Sequence, residues 1–193
     1  MTTICPSWIA FAQSTRLASG SPHEVAAAVK TFVDAHLETS VLVFDAMNSE
    51  PVEIDLRGSL PEVIARLPDS SSDCATPTPP ARTPGRPKLG VTAREVTLLP
   101  RHWEWLAAQP GGASVALRKL VEQALRSNSA ADRIRKAREA AYRFMTAIAG
   151  NEAGHEEAVR ALFAGDLEKL AALVEPWPVD IRDHVLMLAK AAD

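Results

Sequence analysis

The chain has 193 residues, 47% of them hydrophobic and 23% charged, with a formal net charge of −3. That composition excludes a chain disordered throughout and is long enough for one or two cores. No apolar run approaches the roughly 18 residues of a membrane span. The first twenty residues lack a basic start and a long apolar stretch, so no secretory signal is expected.

Residues 7–18 read as one strand, although Trp8, Ala10 and Ala12 alternate only loosely with Ile9, Phe11 and Gln13. Ser21-Pro22-His23-Glu24 is a helix start, with Ser as N-cap, Pro at the first position and Glu in the first turn. Val25, Val29, Phe32 and Val33 then share one face of a helix reaching about His36. Residues 40–45 are a short apolar run bounded by polar residues, a buried strand. After the turn Asn48-Ser49-Glu50-Pro51, Val52, Ile54 and Leu56 alternate with Glu53, Asp55 and Arg57, which predicts a half-buried strand and a hairpin. A short helix over 61–67 completes a β-α-β-β-α domain. The expected class is α+β.

Residues 68–90 begin as a Pro/Ser/Thr-rich run and end in basic residues, a linker too poor in large apolar side chains to fold. Residues 91–128 return to ordered patterns: a β-like run over 94–99, a short helix from Pro100 to Gln109, the break Pro110-Gly111-Gly112, and a Ser114-capped helix over 115–126. Residues 129–193 read as helical. Helices are expected over 132–149, 155–163, 167–174 and 179–191, with Trp177 as a packed anchor between them.

Charge is unevenly distributed. Residues 1–80 carry a net charge of −6 and residues 139–193 one of −5, whereas 81–138 hold twelve Lys or Arg against four acids, a net of +8. A basic middle between acidic flanks is the electrostatic footprint of a partner rich in phosphate, or else of pairing with the chain's own acidic parts.

Chemistry of other kinds finds few residues. Cys5 and Cys74 stand far apart without metal-ligand spacing and read as free thiols of a cytoplasmic protein. The five histidines (23, 36, 102, 155 and 184) show no zinc-binding spacing, and neither a P-loop nor a dinucleotide fingerprint occurs. Asp183-His184 lacks a nucleophile in a recognisable turn. A small enzyme using Asp45 and Asp55 lacks a third partner. The expectation is no catalytic role, no metal and no cofactor; the sequence names no effector.

Gly85-Arg86-Pro87-Lys88, with Arg82 upstream, resembles the core of an AT-hook, whose extended Arg-Pro segment lies in a narrow minor groove. The succession of strand, helix, Gly turn and Ser-capped helix over 91–126 resembles the ribbon-helix-helix DNA-binding fold. That resemblance implies a homodimer whose paired strands enter the major groove of double-stranded DNA while the start of the second helix holds phosphate. The positions it marks are Arg94 and Thr97 on the ribbon and Gly112 and Ser114 at the helix start, with Arg82, Arg86 and Lys88 as a basic arm.

Counting back from Pro100, one strand register buries Glu95 and Thr97. The other buries Val96 and Leu98, which avoids the cost of an unpartnered buried Glu but turns that acid toward DNA. The strand then either reads bases or only joins two chains. At a wider scale the run 85–124, with AAYRFMTAIAG and WPVDIRDHVL downstream, resembles an uncharacterised bacterial protein family, which implies a bacterial cytoplasmic protein and supplies no activity. Together these features predict a homodimeric DNA-binding protein, either a transcriptional regulator or a nucleoid-associated factor. The alternative is an oligomerisation module without DNA binding.

Overall fold

A computed structural model of the chain describes residues 7–67, 92 and 94–191. Among these residues ten elements follow in order: β1 (Trp8–Ala12), β2 (Thr15–Gly20), α1 (Pro22–Ala35), β3 (Val41–Asp45), α2 (Leu60–Ala65), α3 (Pro100–Ala107), α4 (Gly112–Ile148), α5 (His155–Ala164), α6 (Leu167–Val174) and α7 (Val179–Lys190). The class is α+β, a small three-stranded antiparallel sheet followed by helices. The described residues of 1–76 and 132–193 form one compact unit, and those of 77–131 form another.

In the first unit β1 is the central strand, pairing antiparallel with β2 on one side and β3 on the other. All five of its residues are buried, because both faces of the sheet are covered. Side chains of a strand point alternately to opposite faces. Trp8 and Ala10, with Val43 of β3, join Val25 and Val29 of α1 in one apolar cluster. Ile9 and Phe11, with Phe44, join the second half of α4 and helices α5 to α7 in the other. A strand apolar on both faces shows no clean period of two, which is why its alternation in the sequence is loose.

The larger cluster centres on Phe144. Its ring lies 5.2 Å from that of Phe11, 5.6 Å from that of Phe44 and 4.4 Å from that of His184. Residues far apart in sequence therefore share one core. Polar contacts reinforce the join: the Arg16 amide donates to Asp180 Oδ2 at 2.9 Å, and Arg143 donates to the Asn48 carbonyl. Trp177 is buried and its Nε1 donates to the Ala153 carbonyl at 2.9 Å, as expected of a packed anchor.

Within the α+β class, several elements differ from the sequence expectation. Residues 7–18 are not one strand: Gln13 adopts the left-handed conformation (φ 52°) and the chain reverses into the β1–β2 hairpin. The turn is Gln13-Ser14, and Gln is not a usual carrier of the left-handed conformation, which favours Gly, Asn and Asp. The order is thus β-β-α-β-α. The second hairpin is reduced to a stub, with the Asp45 amide donating to Glu50 at 2.9 Å and the Val52 amide to Val43 at 2.8 Å. Beyond it, Val52, Ile54 and Leu56 keep their alternating burial against the α1 side of the sheet without forming a ladder. The segment over 94–99 has no regular secondary structure.

The helices expected over 115–126 and 132–149 are one continuous helix of 37 residues. Ser and Asn in the 127–129 stretch are weak helix formers, which predicts a break. Instead, Ser127 and Ser129 donate back to the carbonyls of Ala124 and Arg126, at 3.2 and 3.1 Å. Arg135 then bridges Asp132 and Glu139, each at 3.1 Å, across the following turns.

Helix α1 begins as its sequence predicts. Ser21 and Glu24 form a capping box, in which the Ser21 amide donates to Glu24 Oε2 at 2.9 Å. Hydrogen bonds from the Ser21 amide and hydroxyl hold the Glu24 carboxyl below its usual range. His184 is a different case. It is buried between Phe11 and Phe144, and its Nε2 has no partner among the described residues. Burial, with a smaller contribution from the charge of Arg16, pushes its pKa down to about 4. Its neighbour Asp183 is exposed and receives the Arg182 guanidinium at 3.2 Å, so the two do not form an orienting pair.

Two outcomes follow. Phe144→Ala empties the meeting point of strands and helices and costs about 3–5 kcal/mol. Denaturant unfolding of the variant, followed by far-UV circular dichroism, shifts in one step for sheet and helices together; separate transitions would show that the core is not shared. For His184 the folded pKa lies below the unfolded one, so the unfolded chain takes up the proton first. Its contribution to stability is complete above about pH 6.5, is lost as pH falls toward about 4, and amounts to about 3 kcal/mol. His184→Leu should flatten that part of the pH profile of the urea midpoint, and an unchanged profile would refute the assignment.

Candidate nucleic-acid interface

The second unit contains α3, a turn over 108–111, and the start of α4. Pro100 opens α3 at the first helical position, where its missing N–H costs nothing. The Leu99 carbonyl accepts from the amides of His102 and Trp103, at 2.9 and 3.3 Å. Gly111 and Gly112 both have positive φ, 88° and 75°, which only glycine adopts without strain, and a Cβ on Gly111 would meet the Val115 side chain at 3.1 Å. The turn therefore requires the glycine pair that breaks the pattern in the sequence.

The seven positions picked out by sequence fall into three groups. Arg82, Arg86 and Lys88 lie outside the described residues, as do Cys5 and Cys74. Arg94 and Thr97 are exposed on the irregular segment before α3, together with Glu95 and Val96, while Leu98 is half-buried. Gly112 and Ser114 come together in the first turn of α4, with Ser114 exposed and its carbonyl accepting from Arg118 Nε at 3.1 Å. A helix start of this kind presents unpaired amides and a partial positive charge.

Four further residues share one face of α4: Lys119, Gln123, Arg126 and Ser127 line a shallow concavity. Their spacing of 4, 3 and 1 is legible in the sequence, but attention to the apolar face of the helix passes over it. Electrostatically this face is open. Arg126 reaches Glu122 at 3.7 Å with both side chains largely exposed, a pair worth little. Among the described residues no carboxylate lies within ion-pair distance of Arg94, Arg101, Arg118 or Lys119.

By contrast, the acidic residues of the first unit are largely engaged locally. Glu156 and Glu157 accept from Arg160, Glu175 from Arg182, and Asp55 from Arg57 and Arg66. The Arg57 hydrogen bonds hold the Asp55 carboxyl far below the usual carboxylate range. Asp45 is occupied in its own turn, accepting from the amides of Met47 and Asn48 at 2.9 and 3.0 Å. No group of three or more potential metal ligands occurs among the described residues. No helix is long and apolar enough to cross a membrane among those residues.

A sheet covered on both faces, followed by helices, defines a mixed α+β protein. The chain belongs to the family described as "Uncharacterized protein conserved in bacteria (DUF2239)", which matches it over residues 7–189. No curated protein and no solved structure gives a match.

Proposed function

We propose that the chain is a homodimeric DNA-binding protein, a transcriptional regulator or nucleoid-associated factor, and not an enzyme. The observation that carries this reading is the set of exposed cations on 94–126 without carboxylate partners, Arg94, Arg101, Arg118 and Lys119, beside the Lys119–Ser127 face. Unpaired cations attract a polyphosphate because contact releases its condensed counterions. Gly112 and Ser114 supply a helix start suited to one phosphate. Thr97 adds a hydroxyl on the segment that a ribbon would use. The basic arm of Arg82, Arg86 and Lys88 extends the positive run toward the minor groove.

A second reading, an oligomerisation module without DNA, draws support from the apolar surface of the same unit, where Trp103, Trp105, Val121 and Leu125 are exposed. The two readings separate on salt. Anisotropy titrations of labelled random and A·T-rich duplexes, between about 50 and about 200 mM salt, should show log affinity falling linearly with log salt, by about 0.9 for each phosphate contacted. Lys119→Ala with Arg126→Ala should reduce that slope by about 1–2 and weaken binding alike on all sequences, whereas Arg86→Ala with Lys88→Ala should weaken A·T-rich duplexes most. Affinity independent of salt, or no binding at the lower salt, would refute the DNA reading.

A further inference from the structure

Residues 118–131 of α4 are all exposed, so among the described residues nothing lies along about 20 Å of this helix. An α-helix with its side chains is about 10–12 Å across, and the major groove of duplex DNA is about 12 Å wide. A helix needs such clearance on every side to sink into the groove. The 94–99 segment, by contrast, has no regular secondary structure and offers no strand for the same purpose. What precedes α4 is a short helix, α3, and a turn over 108–111 that ends on Gly111 with φ 88°. A helix, a short glycine turn and a second helix form the unit that presents its second helix to the groove in helix-turn-helix proteins.

Spacing along α4 gives three side chains different reach. Lys119, Gln123 and Arg126 follow at intervals of 4 and 3, share one face, and line one concavity with Ser127. Seven residues separate the two cations, roughly 10 Å along the helix axis and close to the width of the groove. A cation at each end therefore reaches the phosphates of opposite strands, and the amide between them faces the base edges. The nearest acid, Glu122, lies about 100° round the helix from Gln123 and reaches Arg126 at 3.7 Å, at the edge of this face.

We infer that α4 enters the major groove of duplex DNA and that Gln123 selects sequence there, pairing with N6 and N7 of adenine. The inference rests on the DNA reading above and names the element and the residue that make it specific. A Gln amide carries one acceptor and one donor group, the complement of the N6 amino group and N7 acceptor of adenine. No other base presents that pair in the major groove. Lys119 and Arg126 hold phosphate, which fixes position and carries no sequence information.

The test uses the full chain and a pool of randomised duplexes. Duplexes retained at about 150 mM salt should share adenine at a fixed position, and replacing N7 of that adenine by C–H should weaken wild-type binding about tenfold. The replacement leaves phosphates and minor groove as they were. Gln123→Ala puts the best helix former at an exposed position, so the helix is kept. This variant should bind both duplexes equally, with the salt slope of the wild type. A retained pool without shared adenine, a wild type indifferent to the N7 replacement, or a Gln123→Ala variant that keeps the tenfold preference would each overturn the inference and leave the DNA reading standing. No binding to any duplex at low salt would remove both.

Discussion

An α-helix exposed over four turns needs something to hold it, and much of the architecture turns on how α4 meets that requirement. Its C-terminal part is held by burial: Ala140, Ala141, Phe144 and Met145 are fully covered in the core that also takes in Ile9, Phe11 and Phe44. Its N-terminal part, residues 118–131, has no such cover among the described residues. Local devices carry it across the weak formers, with serine hydroxyls folding back onto carbonyls and Arg135 spanning two carboxylates. Such contacts are worth a few tenths of a kcal/mol each, about 0.2–0.5 for an ion pair on a helix. Apolar burial is the larger force, at about 25 cal/mol per Å², and in α4 it acts on the C-terminal part, in the core shared with the sheet.

The same contrast separates what is structural from what is available for contact. In the first unit polar groups are consumed locally: Glu24 by its capping box, Asp45 by its turn, Asp55 by two arginines, Glu156 and Glu157 by Arg160. In the second unit, among the described residues, Arg94, Arg101, Arg118 and Lys119 have no carboxylate partner, and Trp103, Trp105, Val121 and Leu125 are exposed. Under the proposed function, such a surface offers charge to phosphate.

Much of this fold is legible in the sequence where local signals are strong. Ser21-Pro22-His23-Glu24 announces α1, the Val41–Phe44 run announces β3, and the Pro110-Gly111-Gly112 break announces a new helix, although α4 begins at Gly112 itself and takes Ser114 into its first turn instead of using it as a cap before Val115. Legibility fails where tertiary contacts overrule local preference. Gln13 takes the left-handed conformation that Gly or Asn usually fills, because β2 has an edge of β1 to pair with. Residues 127–132 stay helical although their composition argues for a loop. Val52, Ile54 and Leu56 alternate as a strand does, yet pack without a ladder. The candidate site divides the same way: Gly112 and Ser114 are fixed by turn chemistry, whereas the Lys119–Ser127 face is defined by three-dimensional exposure that periodicity of apolar residues does not reveal.

The claim on which the account depends is the proposed one, that the exposed cations of 94–126 meet the phosphates of a duplex. Hydrogen–deuterium exchange of the full chain with and without a random duplex at low salt reads this directly, since protection gained on binding follows mass action. The account predicts that amides of 112–127 exchange more slowly with the duplex while those of 137–148 do not change. Equal exchange of 112–127 with and without the duplex would contradict it.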